Sequence, residues 1–240
     1  MKVHYTKIGD IALLKIPDEQ NHNEYEIAHE IIEKEHSIKV VIRAYGRYGE
    51  FRKQDSKILI GNRTDTIYTE FGMKFHVDVK ESYFSEREKT ERQRLKNSAH
   101  PHEQILILFA GVGVIPLIIA QEKEVTITAV EKNPRAFSLM EENISRNQIR
   151  GSIVPILRDV YTFTGDTYDR VIVPQPYGHH SFSIAAPFVK EGGYLHYYAW
   201  KSRYTDPESF PGFAVCSIKT LFSYAPGIWK VCYDLEKVSD

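Results

Sequence analysis

Three short stretches of this chain hold residue types that suit a nucleoside ligand. Phe109-Ala110-Gly111-Val112-Gly113 reads as a turn between an apolar strand and an apolar helix. Glycines at such a turn let the backbone bend sharply and approach a ligand closely. The next strand ends at Glu131, followed by Lys132. In a doubly wound sheet an acidic residue at that place can accept hydrogen bonds from ribose hydroxyls. A third strand is followed by Asp159 and Val160, where the carboxylate could hold an adenine amino group or stay structural. Taken singly, Gly111 and Gly113 could be turn residues only, and Glu131 a solvated carboxylate. Together they fall at three successive strand C-termini, where ligands bind in open α/β sheets, and the order favours a cofactor site. The dinucleotide pattern G-x-G-x-x-G is incomplete, because Pro116 stands where its last glycine would be.

Such turns need a frame of alternating strands and helices, and from Gln104 the sequence supplies one. Ile105 to Phe109, Val125 to Val130, Ile153 to Leu157, Asp169 to Val173 and Tyr194 to Trp200 read as strands. Val114 to Gln121, Asn133 to Asn147 and His179 to Val189 read as helices, the second with Asn133 as N-cap and Pro134 in the first turn, the third stopped by Gly192 and Gly193. Val215 to Tyr224 and Trp229 to Leu235 flank the turn Ala225-Pro226-Gly227 as a closing hairpin, compatible with an antiparallel edge. The first part reads as small α+β. It has strands at Ile11 to Ile16 (ended by Pro17), Ile38 to Ile42, Ile58 to Ile60, Thr66 to Glu70 and Lys74 to Val79, and a helix at Tyr25 to Glu35. Glu86 to Lys96 is charged and helical in pattern and leads into the second part. The expected organisation is a small α+β domain, residues 1–88, ahead of an α/β domain, residues 89–240, with a Rossmann-like, doubly wound sheet.

The 240 residues, 42% hydrophobic and 26% charged, suit a soluble globular protein with a sizeable core. The formal net charge of -1 gives no whole-molecule field towards nucleic acid, so any such site must be a local basic patch. Arg43 to Lys57 is a candidate: Arg43, Arg47, Arg52, Lys53 and Lys57 interleave with Tyr45, Tyr48 and Phe51. It suits a phosphate backbone and a stacked base, or equally a twisted hairpin with one solvated face. Cys216 and Cys232 could pair across the hairpin, although buried free thiols are the expectation for a cytosolic protein. No apolar run approaches a membrane span, and Met1 to Asp10 lacks the apolar core of a signal peptide, so the expected location is cytoplasmic. His179-His180 and His100-Pro101-His102 lack Cys or carboxylate partners at ligand spacing; they read as surface or capping histidines, and no metal is expected. Tyr194, Tyr197, Tyr198 and Trp200 read as sheet packing rather than a base-stacking platform.

A wider set of segments, in order along the chain, resembles one family. These are Gly9-Asp10-Ile11-Ala12, Gly49-Glu50-Phe51-Arg52, Tyr83-Phe84-Ser85, Thr90-Glu91-Arg92, Phe109 to Gly113, Asp169-Arg170-Val171-Ile172, Gly192-Gly193, His196-Tyr197-Tyr198 and Tyr224-Ala225-Pro226. The chain resembles the archaeal and eukaryotic tRNA guanine N1-methyltransferases, which act 3′ to the anticodon, and the related wybutosine-synthesis enzymes. The resemblance implies a class I methyltransferase fold, S-adenosylmethionine as cofactor and tRNA as partner. It implies Glu91 as general base and Arg52 as the group steadying the guanine oxygen. Tyr83 and Arg87 match positions near cofactor and target base, and Arg92 falls in the same motif, on the substrate side. That chemistry is coherent: guanine N1 must lose its proton to become a nucleophile, and negative charge then builds on the oxygen, where an arginine fork stabilises it. Read from residues alone, Glu91 is better taken as a surface partner of Arg87 or Arg94 along one helix face, and the resemblance is what puts catalysis ahead; Arg52 could contact phosphate instead.

The chain departs from the family pattern in three places. Ile107 and Leu108 stand where an acidic residue often precedes F-A-G-x-G. Pro174-Gln175-Pro176-Tyr177 replaces Asn-Leu-Pro in the loop beside the target base, and its tail is a partial match to the N-P-P-Y loop of amino-group methyltransferases. Gln175, Pro176 and Tyr177 are therefore expected on the substrate side and Pro174 beside the cofactor. The family segment starts at Gly9, so the extra tRNA-recognising N-terminal domain of many members is expected to be missing. The leading expectation is N1-methylation of the guanosine 3′ to the anticodon or of a derived wyosine-type base. The alternatives are aminocarboxypropyl transfer in wybutosine synthesis, a methyltransferase acting on something other than tRNA, and a non-catalytic paralogue binding RNA or protein. A monomer is the default.

Overall fold

A computed structural model describes residues 4–16, 23–202 and 209–238; Pro17, expected to end a strand, lies outside them. The centre of the molecule is β7 (Gln104–Leu108), whose last four residues are buried. Its side chains alternate between two cores. Leu106 and Leu108 join one with Val171, Val173, Leu195 and Ala185; Ile105 and Ile107 join another with Leu95, Ile119 and Met140. A strand apolar on both faces requires cover on both faces, which is the doubly wound arrangement.

Around β7, the strands β8 (Thr126–Glu131), β9 (Ser152–Leu157), β10 (Tyr168–Val173), β11 (Val189–Ser202), β12 (Phe213–Ala225) and β13 (Ile228–Lys237) form a seven-stranded sheet. Its order is β12-β13-β11-β10-β7-β8-β9. The five strands β7 to β11 run parallel, and β13 and β12 close the edge as an antiparallel hairpin. Helix α3 (Val114–Ala120) is apolar throughout and almost entirely buried. Helix α4 (Pro134–Arg146) buries Ala136, Leu139, Met140 and Asn143, one face at helical spacing. Asn133 caps it as expected, its side chain accepting from the backbone N–H groups of Arg135 and Ala136.

The first part forms a four-stranded sheet, order β1-β2-β3-β4, from β1 (Tyr5–Ile8), β2 (Ile11–Leu14), β3 (Val40–Tyr48) and β4 (Lys53–Ile60). Helix α1 (Glu24–Lys34) connects the parallel pair β2 and β3 and packs Ile27, Ala28 and Ile31 on one face of the sheet. The other face meets a small hairpin, β5 (Asp65–Glu70) and β6 (Met73–Asp78). Ile8, Ile11, Val40, Ile42 and Phe75 share one core with Val112, Leu117 and Leu139, so the small sheet and helices α3 and α4 are packed as one body. Buried Asn143 reinforces that seam: its side chain bonds the N–H and C=O of His76 and the C=O of Val112.

The structure corrects several expectations. His179 to Val189 holds only a short helix, α5 (Phe182–Ala185), and a 3-10 turn, Ala186–Phe188, because Pro187 cannot continue an α-helix. Gly192 and Gly193 lie inside β11, where the register jumps from Tyr168↔Val189 to Arg170↔Tyr194. Both cysteines are free; Cys232 is buried, but Cys216 is exposed on the edge strand. They are not opposite one another, since Cys232 pairs with Lys219. Among the described residues, no helix is long and apolar enough to cross a membrane.

One buried polar network links helix α2 (Lys89–Ser98) to the sheet. His196 on β11 shares hydrogen bonds with Asp234 (2.6 Å) and Arg170 (2.6 Å). Burial pushes the imidazole below its ordinary value, against the hydrogen bond to Asp234. For Asp234 burial alone acts upward, but His196, Ser217 and Arg94 hold the carboxyl well below the usual range. Both groups therefore bind protons more readily in the unfolded chain. The contribution of His196 is present above the free histidine pKa of about 6.5 and is lost as pH falls below it, whereas that of Asp234 is lost only below the ordinary carboxylate range. Urea melts should give a constant midpoint between about pH 7 and 8 and a clearly lower one at pH 5. His196→Gln should flatten the upper part of that decline; an unchanged profile would show that other groups set it.

Candidate active site

At the C-terminal ends of β7 to β11 lies a cavity roofed by the β3–β4 turn. Phe109, Gly111, Glu131, Lys132, Asp159 and Val160 form one end of it, so the three turns singled out in the sequence meet as expected. Gly111 has φ +60°, and a Cβ built there would meet nothing closer than the Tyr83 carbonyl at 4.0 Å. Backbone conformation selects glycine here, and its surroundings stay open to a ligand. Gly113 serves packing instead: at φ +84°, an added Cβ would lie 2.8 Å from Met140 of α4.

Glu131 accepts three backbone N–H bonds, from Gly111 (2.8 Å), Lys132 (2.9 Å) and Asn133 (2.7 Å). Burial raises its pKa while those donors oppose the rise. A carboxylate has about four acceptor positions, so one remains for a ribose hydroxyl. Lys132 reaches across to Asp159 (2.6 Å) and to Glu50 in the roof. The hydrogen bond from Lys132 is the main reason that the Asp159 carboxyl sits below its ordinary range. Val160 is buried beneath this end, and Phe109 presents a ring held edge-on to His179. A backbone opening at Gly111, a spare acceptor on Glu131 and apolar surfaces beside Asp159 fit a nucleoside.

The other end is aromatic and cationic. Arg52, at φ +50° in the roof turn, donates to the Tyr224 hydroxyl (3.1 Å). Tyr83 lies under Arg47 (4.8 Å) and presents a partly exposed ring to the cavity. Tyr177 stacks on Tyr224 (centroids 5.3 Å, interplanar 18°), with Trp200 edge-on to both. Pro174 and Pro176 complete the wall. Gln175 borders the cavity, but its side chain is turned inward: Nε2 donates to the Tyr198 carbonyl and Oε1 accepts from Ser181. Its expected substrate contact is corrected accordingly.

Other expected site residues lie outside the cavity walls. Glu91 is buried at 7% exposure, bonded through both oxygens to Arg94 (2.8 and 2.7 Å) and to the Tyr198 hydroxyl (2.5 Å). The i,i+3 pairing along α2 describes it; the general-base expectation does not, because its carboxylate is held by Arg94 and Tyr198 behind the cavity and is not among the cavity walls. Glu91→Gln should cost about 2–3 kcal/mol of stability while leaving nucleoside affinity unchanged, checked by urea melts and calorimetry. Arg92 is also buried, fork to fork with Glu70, and cannot contact substrate from there. Arg87 donates to the Ser223 carbonyl and lies over Phe222, tying α2's approach to the β12–β13 hairpin. Ala110 and Val112 are buried in the cores behind the glycine turn.

Lys230, Trp200 and His179 are cavity residues that the sequence reading passed over or took as packing or surface groups. Along the β3–β4 hairpin, Tyr45 and Tyr48 are exposed, whereas Arg43 is buried against Glu24. His196, Cys232 and Asp234 present donor atoms within 4.8 Å of one another, but Arg94 and Arg170 already supply cations to that cluster.

Residues 66–209 match the TRM5/TYW2 methyltransferase domain and residues 1–64 the TYW2 N-terminal domain. The chain is 32% identical to the tRNA(Phe) (4-demethylwyosine(37)-C(7)) aminocarboxypropyltransferase of Methanocaldococcus jannaschii, over 98% of each chain. It is 35% identical to the tRNA (guanine(37)-N(1))-methyltransferase Trm5b of Pyrococcus abyssi, over 80% of this chain and 58% of that protein. The crystal structure of P. horikoshii TYW2 in complex with MeSAdo superposes with a TM-score of 0.85, 28% identity, covering 99% of this chain and 91% of the other.

Proposed function

The chain belongs to the TRM5/TYW2 methyltransferase family, and on that premise we propose that it is an S-adenosylmethionine-dependent transferase acting on the base at position 37 of tRNA. S-adenosylmethionine supplies an alkyl carbon activated by attachment to a sulfonium. The protein's own residues bind and orient. Glu131 offers its remaining acceptor position to the ribose, and Gly111 admits the ligand close to the backbone. Asp159, released from Lys132, faces the adenine side. Tyr177, Trp200 and Tyr224 offer ring faces and edges to a flat base, and Arg52 offers a guanidinium to its oxygen. In this reading residues 1–88 supply the roof and the RNA-facing hairpin, and residues 89–240 the cofactor end.

Of the two groups that the family's members transfer, we propose the aminocarboxypropyl group. One observation carries this: Glu91, the carboxylate that N1-methylation would use as base, is bonded to Arg94 and Tyr198 and is not a cavity wall. The match of the first 64 residues to the TYW2 N-terminal domain and the full-length correspondence support it. Methyl transfer is the second reading, favoured by the Thr90-Glu91-Arg92 segment and the likeness to Trm5b. The deciding experiment incubates the protein with unmodified and partly modified tRNA and S-adenosylmethionine labelled either in the methyl group or in the aminocarboxypropyl chain. Label entering RNA only from the chain is the expected result. Label from the methyl group alone would establish the second reading, and label from neither would remove both.

A further inference from the structure

On the reading that S-adenosylmethionine occupies the cavity, we propose that Lys230 and Trp200 form the receptor for the carboxylate of its amino acid chain. Lys230 walls the cavity although it is only 2% exposed. Its ammonium sits among the rings of Tyr198 (5.2 Å), Trp200 (5.6 Å) and Phe222 (5.9 Å). Its hydrogen-bond acceptor among the described residues is Glu88, at 2.6 Å, from the turn ahead of α2. An ammonium has three N–H donors, and ring faces attract its charge without fully replacing a hydrogen-bond acceptor. Donor capacity is therefore left over.

Trp200 is the partner of Lys230 across β11 and β13 and is also a cavity wall. Its indole N–H is buried and has no hydrogen-bond partner among the described residues. Buried polar groups in folded proteins are nearly always bonded, so an orphan donor in a cavity wall points to a ligand acceptor. Two donors short of acceptors, one of them charged, in a wall whose rings exclude water and keep the local dielectric low, suit an oxygen anion.

Two parts of the reactants offer such an oxygen: the amino acid carboxylate and the oxygen of the target base. The carboxylate is favoured for two reasons. It offers two oxygens to the spare N–H groups of Lys230 and the indole N–H of Trp200, and Arg52 stands separately in the roof for a base oxygen. At the opposite end, β7 finishes in Ile107 and Leu108, both fully buried and apolar, so β7 itself contributes no charged side chain to hold a zwitterion. Glu88 keeps the lysine charged in its cage, and the chain is drawn towards the aromatic, acceptor end of the cavity.

The test is calorimetry, without RNA, using three ligands: S-adenosylmethionine, its decarboxylated analogue, and methylthioadenosine, which lacks the chain. Wild-type protein should bind S-adenosylmethionine about 10–100-fold more tightly than the decarboxylated analogue. Lys230→Met should abolish that margin while methylthioadenosine affinity stays unchanged. Trp200→Phe, which removes the N–H and keeps an aromatic ring, should narrow the margin by about 3-fold or more. A margin that survives in Lys230→Met overturns the proposal; if transfer to RNA is lost there as well, the lysine serves the base. Should Lys230→Met also weaken methylthioadenosine, Trp200→Phe decides, and an unchanged margin in it overturns the proposal. Wild-type protein binding all three ligands equally would overturn this inference alone, whereas binding none would overturn the cofactor reading beneath it.

Discussion

Arg92→Met is expected to destabilise the protein by about 3–5 kcal/mol, because it breaks a buried bidentate ion pair from one side. Nε and Nη2 of Arg92 meet the two oxygens of Glu70 at 2.8 and 2.7 Å, and the side chains are 4% and 0% exposed. Glu70 also accepts from the Tyr68 hydroxyl, while Arg92 reaches the Ser85 carbonyl. Removing the cation leaves a carboxylate in a site that water does not reach, and that desolvation dominates the cost. For a chain of this size the loss corresponds to a melting temperature lower by roughly 6–20 °C. Pairing it with Glu70→Gln should restore a substantial part of the stability, since the stranded charge is then gone. Thermal melts of the two single variants and the double give the coupling directly. A single-variant loss below about 1 kcal/mol would mean that water enters, and that Arg92 is available to substrate after all.

Glu131→Ala should have the opposite profile, with a modest effect on folding and a severe one on the cofactor. The carboxylate organises the N–H groups of Gly111, Lys132 and Asn133 and keeps one acceptor position for the ligand. Its removal takes away a charge-assisted ligand hydrogen bond and lets the glycine turn relax, together worth about 100-fold or more in affinity for S-adenosylmethionine. Because burial raises the Glu131 pKa, wild-type affinity should begin to fall on acidification before an ordinary glutamate would titrate, as the protonated form loses its acceptor strength. Titration calorimetry across pH on both proteins checks this. An alanine variant that binds within a factor of about 3 of wild type would place the ribose elsewhere.

Local signals in the sequence were enough to find the catalytic half of the fold. Strands of five or six apolar residues, each closed by a turn or a capped helix, set the parallel sheet, and Asn133-Pro134 marked a helix start that the structure reproduces. The same signals placed Gly111, Glu131 and Asp159 together, because each is defined by its position at a strand end. What stayed hidden depends on contacts distant in sequence. Lys230 reads as an ordinary strand lysine until Glu88, 142 residues earlier, is seen beside it. Arg92 looks like a substrate arginine until Glu70 meets it from another element. Glu91 belongs to both cases: its spacing from Arg94 was legible, but the bond from Tyr198 was not. β1 escaped notice because Thr6 and Lys7 interrupt its apolar character, and pairing with β2 supplies what its composition lacks.

The core shared by the small sheet and helices α3 and α4 bears on how this chain could be recombined with its relatives. A crossover point chosen at residue 88 would cut between elements yet divide a packed seam, with Ile8, Ile11 and Phe75 on one side and Val112, Leu117 and Leu139 on the other. A chimaera joining the first half of one family member to the second half of another would inherit two faces shaped for different partners. Exchange of the roof alone, the turn between β3 and β4, leaves that seam whole. The turn is thus the smallest unit that can be traded between relatives to change what the cavity accepts.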